Sequence, residues 1–254
     1  MEMKDWLPLY REIVDDLGLS EENDIMASRE LAALISANDE LEDRDVNLAL
    51  LEDYIRSRTC IVIGGGPRLE EELDELLGGD RGLRDLGDVT FITADGATSS
   101  LMKRGITPDV IVTDLDGGFE DQRRAVLLGS LMVLHGHGDN MDVLRRRVPE
   151  LSGCVVGSTQ VDPSPVPGLI NMGGFTDGDR AVHIALSLGA ERIILVGFSG
   201  EGAGDKIMDG GRRERLKGAD REMKERKLLW MRRLLDMADP ERVAPFGKRS
   251  PGRR

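Results

Sequence analysis

The chain has 254 residues, 40% of them hydrophobic, enough for one sizeable α/β core with a helical appendage but not for several independent domains. A formal net charge of −13 argues against a nucleic-acid surface, because phosphate backbones are bound by clustered Lys and Arg. No run of about 18 apolar residues exists, so no membrane span is expected, and the two cysteines, Cys60 and Cys154, lie far apart in apolar runs with no second pair for a zinc knuckle or disulfide framework.

In chain order, residues 1–58 read as helical: Trp6, Leu9, Ile13 and Leu17 recur at helical spacing, as do Leu31, Leu34 and Ile35, then Leu48, Leu51 and Ile55. No glycine-rich turn or catalytic cluster is apparent there. The segment is expected to cap the main domain or to pack on a second subunit, which leaves a homodimer open. Its charged, helical start is not a secretory signal, and a cytoplasmic location is the expectation. From residue 59 short apolar strands alternate with helical stretches, the pattern of a mostly parallel α/β sheet flanked by helices. Strands are predicted at 59–63, 89–94, 109–113, 130–135, 153–157, 168–172 and 192–197, with a last helix near 219–238 closing a catalytic domain of residues 59–238. The tail 239–254 is rich in Pro, Gly and Arg, lacks periodicity, and is expected to be a flexible basic tail.

In such sheets ligands sit beyond the carboxyl ends of the strands, which is where this chain concentrates its Gly, Asp, Asn and His. The first strand runs into Gly64, Gly65, Gly66 and Pro67, a turn that can present N–H groups to phosphate but that reads equally as a tight turn with no ligand. The second ends in ADGA, placing Asp95 and Gly96 at its tip. The third ends in PDVIVTDLDGG, where Asp114 and Asp116 stand one residue apart; alternation in an extended chain would point both to one side, able to share a hard cation. The bland alternative is that one of them caps a turn. The fourth runs into HGHGDN, with His135, His137, Asp139 and Asn140; zinc is a minor reading, because the other candidate ligands are carboxylates. Further on, GGFTDGDRA opens a helix at Thr176, a credible cap, with Asp177 and Asp179 suited to the helix dipole and Arg180 able to neutralise a phosphoryl group. His183 on the apolar side of that helix reads as a core histidine.

The order GGGP, ADGA, PDVIVTDLDG, HGHGDN and GGFTDGDRA resembles the archaeal 6-hydroxymethyl-7,8-dihydropterin pyrophosphokinase family, from Asp5 and Trp6 through the helix carrying Lys224 and Lys227. More distantly, ADGA, PDVIVTDLDG and FTDGDRAVHIALSLGAERIILVG are similar to segments of thiamin pyrophosphokinases. The resemblance implies transfer of pyrophosphate from ATP to a reduced hydroxymethylpterin with Mg²⁺, small-molecule substrates rather than nucleic acid or membrane, and methanopterin or folate synthesis. It implies Asp114 and Asp116 as metal ligands with Asp95 beside them, and Asp139 and Asp177 as further acidic groups. Arg68 departs from the small hydroxyl residue expected after Gly-Gly-Pro. The roles expected are catalytic for Asp114, Asp116, Asp139 and Arg180; nucleotide-binding for Gly64, Gly65, Gly66, Asp95, Gly96, Thr176, Asp177 and Asp179; and pterin-binding for His135, His137, Asn140, Gln160, Asn171 and Phe175. Rival readings are a metal-dependent glycosyltransferase built on D-x-D, a thiamin pyrophosphokinase, and a non-catalytic nucleotide sensor.

Overall fold

The computed structural model describes residues 1–78, 88–199 and 202–247. Three helices come first: α1 (Met3–Leu17), α2 (Glu21–Ser36) and α3 (Arg44–Ile55). Gly18 ends α1 in the left-handed conformation that glycine adopts without steric cost, and the Ser20 side chain accepts the Asn23 N–H to start α2. The Asp43 side chain caps α3 in the same way.

A parallel sheet follows, made of β1 (Thr59–Ile63), β2 (Val89–Ala94), β3 (Val110–Thr113), β4 (Leu131–His135), β5 (Val155–Ser158), β6 (Arg192–Val196) and β9 (Val243–Pro245), in the order β5-β4-β3-β2-β1-β6-β9. Between them run α4 (Leu69–Gly78), α5 (Ala97–Met102), α6 (Phe119–Leu127), α7 (Met141–Arg147) and α8 (Asp177–Ser187). The central strands are near-continuous apolar runs because both faces are covered. Cys60, Val62, Val110 and Val112 face α3 and α8, while Ile61, Ile63 and Phe91 face α4 and α5. The strand order reverses direction at β1, whose neighbours are β2 and β6, so a crevice opens above the carboxyl ends of these strands.

Three features differ from the sequence reading. The stretch 168–172 contributes an isolated bridge between Ile170 and Ser158 rather than a strand. A hairpin of β7 (Lys206–Met208) and β8 (Arg212–Glu214) lies between β6 and the last helix, α9 (Gly218–Asp236). The tail read as aperiodic holds β9, whose partner is β6; three residues beside a buried strand are too short to show a period, yet Phe246 N–H still reaches the Leu195 carbonyl at 2.8 Å. The remainder of that tail, 248–254, lies outside the described residues.

Candidate active site

Above the carboxyl ends of the strands lies a cleft of about 640 Å³. Its floor is built from strand ends. Asp95, just past β2, takes a positive φ of 45°, a conformation that non-glycine residues hold where the surroundings impose it. The Gly117 N–H (3.0 Å) and the Gln122 side-chain amide (2.9 Å) donate to Asp95 Oδ1. A Cβ at Gly117 would stand 2.3 Å from Asp95 Oδ2, so glycine there keeps the carboxylate free to face the cleft.

β3 ends at Thr113, and Leu115 has φ 65°, so the alternation expected to point Asp114 and Asp116 together stops one residue before Asp114. The Asp116 N–H instead folds back onto Asp114 Oδ1 at 3.0 Å. Asp114 meets His137 Nε2 at 3.1 Å, and Asp116 pairs with Lys206 of the hairpin at 3.1 Å. The carboxylates that converge are Asp95, Asp114 and Asp177, each offering an oxygen within 4.8 Å of the others. Asp116 is not one of that trio, but its carboxylate lies against Asp95 as well as Lys206. Three carboxylates without imidazole or thiolate form a donor set for a hard divalent cation rather than zinc.

The electrostatics fit such an ion. Burial, reinforced by the charges of Asp116 and Asp114, pushes Asp95 up to about 7. Burial together with Asp114 and Asp95 pushes Asp177 well above the usual carboxylate range. Burial is the largest influence on Asp114 and acts upward, but the hydrogen bond and charge of His137, the Asp116 N–H and the Lys227 charge together hold this carboxyl below its ordinary value. Like charges this close ionise together only when a cation compensates them.

The other expected residues fall into two groups. Gly64, Gly65, Gly66, Gly96, His135, His137, Asp139, Gln160, Phe175 and Thr176 line the cleft. Two of the turn's amides are already used: Gly64 N–H bonds the Val196 carbonyl and Gly66 N–H the Gly197 carbonyl, both at 2.8 Å, and a Cβ at Gly66 would lie 2.3 Å from Gly197 O. Gly64 and Gly66 therefore serve close packing of the β1 and β6 loops, whereas a Cβ at Gly65 would meet only ordinary contact with Ile207. His135 Nδ1 lies 3.2 Å from Ser158 Oγ, while burial and the Arg180 charge hold its ring neutral.

Asn140, Asn171, Asp179 and Arg180 stand behind the wall. Asn140 donates to the Asp114 and His135 carbonyls and accepts the His137 N–H, tying the β3 and β4 loops together. Asn171 holds the Val161 carbonyl at 2.8 Å. Asp179 accepts the Phe175 and Thr176 N–H groups at the start of α8, which makes it a cap. Arg180 is 2% exposed, donates to the Phe175 carbonyl, and sets a positive charge behind Asp177, Asp179 and Asp114.

Several wall residues were not foreseen. Lys206, Lys224 and Lys227 enter from the hairpin and α9, and Asp24 and Asn23 enter from α2, a segment whose sequence shows no catalytic pattern. In the sequence Asp24 is indistinguishable from the acids that decorate a helix's first turn.

Known proteins similar to this chain share one name. Residues 36–199 match the family model of MptE-like 6-hydroxymethylpterin diphosphokinases. A Pyrococcus furiosus protein named 6-hydroxymethyl-7,8-dihydropterin pyrophosphokinase is 39% identical over 242 residues, covering 93% of this chain and 94% of that one. Proteins of the same name from Methanothermobacter thermautotrophicus (39% over 198 residues, 78% of each chain) and Methanocaldococcus jannaschii (32% over 206 residues, 78% of this chain and 80% of that one) are also similar. On this identity and coverage, the chain belongs to the MptE-like 6-hydroxymethylpterin diphosphokinase family.

Proposed function

We propose that this protein transfers pyrophosphate from ATP to 6-hydroxymethyl-7,8-dihydropterin, releasing AMP and the pterin diphosphate, with Mg²⁺ as the working cation. The observation that carries this reading is the convergence of Asp95, Asp114 and Asp177, from three separate segments, at the floor of one cleft in a chain of this family.

The hydroxymethyl oxygen attacks the β-phosphorus, the bond from that phosphorus to the α–β bridging oxygen breaks, and AMP leaves carrying the new charge. Asp95, Asp114 and Asp177 would hold the divalent cation, which supplies neutralisation for phosphate oxygens when bound. Phosphoryl-type transfer through a loose transition state needs positioning and charge compensation more than a strong base. Lys206 and Lys224, at the cleft wall, contribute positive charge from this chain's own residues. Asp139, exposed at the rim beyond β4, would take the alcohol proton. Arg180 acts from behind through its charge, which faces Asp177 and Asp179.

Incubation with ATP, Mg²⁺ and reduced hydroxymethylpterin is expected to release AMP in step with pterin diphosphate. Turnover of a nucleotide sugar or of thiamin without AMP release from the pterin reaction would overturn the assignment.

A further inference from the structure

We infer that Asp24, with Gln160 beside it, reads the amino-pyrimidinone edge of the pterin and fixes which end of the cleft that substrate takes; the inference rests on the pterin reading above. Asp24 belongs to α2, which packs against β5 at one edge of the sheet, and Gln160 follows β5 directly. The glycine turns of β1 and β6 lie on the other side of the carboxylate floor, with β2, β3 and β4 between. Both Asp24 and Gln160 line the cleft.

Asp24 is a carboxylate 4% exposed whose three hydrogen-bond partners are all uncharged. The Gly138 N–H donates to Oδ1 at 2.7 Å; the Tyr10 hydroxyl (2.5 Å) and Gln160 Nε2 (2.7 Å) donate to Oδ2. A carboxylate offers about four lone-pair positions, so Oδ2 is filled and Oδ1 keeps one. Because only the NH₂ end of Gln160 can face a carboxylate, its Oε1 is an acceptor on the side of the His135 ring, which uses one of its two lone pairs and leaves the other. The segment is pinned from behind: Trp6 Nε1 donates to the Gln160 carbonyl at 2.8 Å and Asn171 to that of Val161.

Two neighbouring acceptors, one of them charged, match the paired N–H donors of a 2-amino-4-oxopyrimidine ring, its exocyclic amine and ring N–H. They do not match adenine, whose corresponding edge alternates donor and acceptor, and a negative charge repels a triphosphate. Phe175 and Leu19, on the same wall, offer apolar surface to the ring's faces. Burying a carboxylate whose hydrogen-bond partners among the described residues are all neutral is costly, and a ligand that supplies further donors offsets that cost. The pterin therefore lies toward β5 and the nucleotide toward the β1–β6 turns.

The test compares the full-length enzyme, with ATP and Mg²⁺, on 6-hydroxymethyl-7,8-dihydropterin and on its 2-deamino analogue. The wild type should prefer the amino-bearing substrate at least tenfold in kcat/KM. Asp24→Asn should collapse that preference to within about twofold while leaving KM for ATP within twofold, tenfold being about 1.4 kcal/mol of discrimination. Tyr10→Phe, which removes a supporting donor but leaves Oδ1, should retain the preference; a merely structural Asp24 would make the two variants behave alike. A folded Asp24→Asn that still discriminates tenfold overturns the inference. Should that variant not fold, inhibition of the wild type decides: pterin should inhibit at least tenfold more strongly than 4-oxopteridine lacking the amine, and equal inhibition overturns the assignment. Absence of AMP release by the wild type on the amino-bearing substrate would overturn the functional reading as well, whereas turnover without discrimination removes Asp24's role alone.

Discussion

At the scale of single residues, the floor of the cleft is a balance among like charges. Asp114→Asn removes the carboxylate that His137 holds ionised, and is expected to lower AMP release about a hundredfold or more in a folded protein, whereas Asp116→Asn, which breaks a pair with Lys206, should cost less. Steady-state kinetics of the two variants side by side checks that order. Gly117→Ala is the sharper probe, because its methyl would sit 2.3 Å from Asp95 Oδ2: the expected result is at least about a tenfold fall in activity together with weakened Mg²⁺ binding. The pH dependence has a definite sign. Asp95 titrates at about 7 in the folded chain against an ordinary 3.8, so its contribution to stability is complete below about 4 and is lost as the pH rises through 7. The melting temperature of the cation-free protein is thus expected to fall between pH 5 and pH 8, and the rise produced by Mg²⁺ to grow over the same interval; a Mg²⁺ shift that is flat with pH would refute this.

At the scale of elements, two short pieces matter more than their length suggests. The β7–β8 hairpin brings Lys206 onto Asp116, and the Asp121 backbone N–H donates to Asp209 while Asp121 Oδ2 accepts the Gly210 N–H, so the hairpin's turn is tied to α6 by two hydrogen bonds. Lys206→Ala is expected to raise KM for ATP by about tenfold with little change in KM for the pterin, read from two-substrate kinetics. β9 covers the outer edge of β6 and carries Phe246 against the core under α4 and α5. Truncation after Pro240 should uncover that edge, and the expected outcomes are a lower melting temperature and association detectable by light scattering. Both pieces escape a sequence reading for the same reason: three-residue strands have no measurable period, and their pairing is decided by the surface they land on.

At the scale of the molecule, α1 and α2 are part of the site rather than an appendage. Trp6, Tyr10 and Ile13 are wholly buried against Phe175 and Leu234, and the first turn of α2 brings Asp24 to the cleft. Trp6→Ala is expected to destabilise the fold by about 3–5 kcal/mol, measured by denaturant unfolding, and to weaken pterin binding through the carbonyl of Gln160 that Trp6 holds. Among the described residues no helix is long and apolar enough to cross a membrane. The sequence alone determined the alternation of β1 to β6 with α4 to α8, because hydrophobic period and glycine placement are local properties. It also determined which acids stand at strand ends, because each follows its strand within a few residues. It could not decide which of those acids meet, since Leu115 leaves the extended conformation and hands Asp116 to Lys206, while Asp177 arrives from more than sixty positions away to join Asp95 and Asp114. Nor could it find Asp24, whose buried place among Tyr10, Gln160 and Gly138 exists only after helix α2 has packed on the sheet edge. Proximity between distant segments is a product of packing, and only the tertiary structure fixes it.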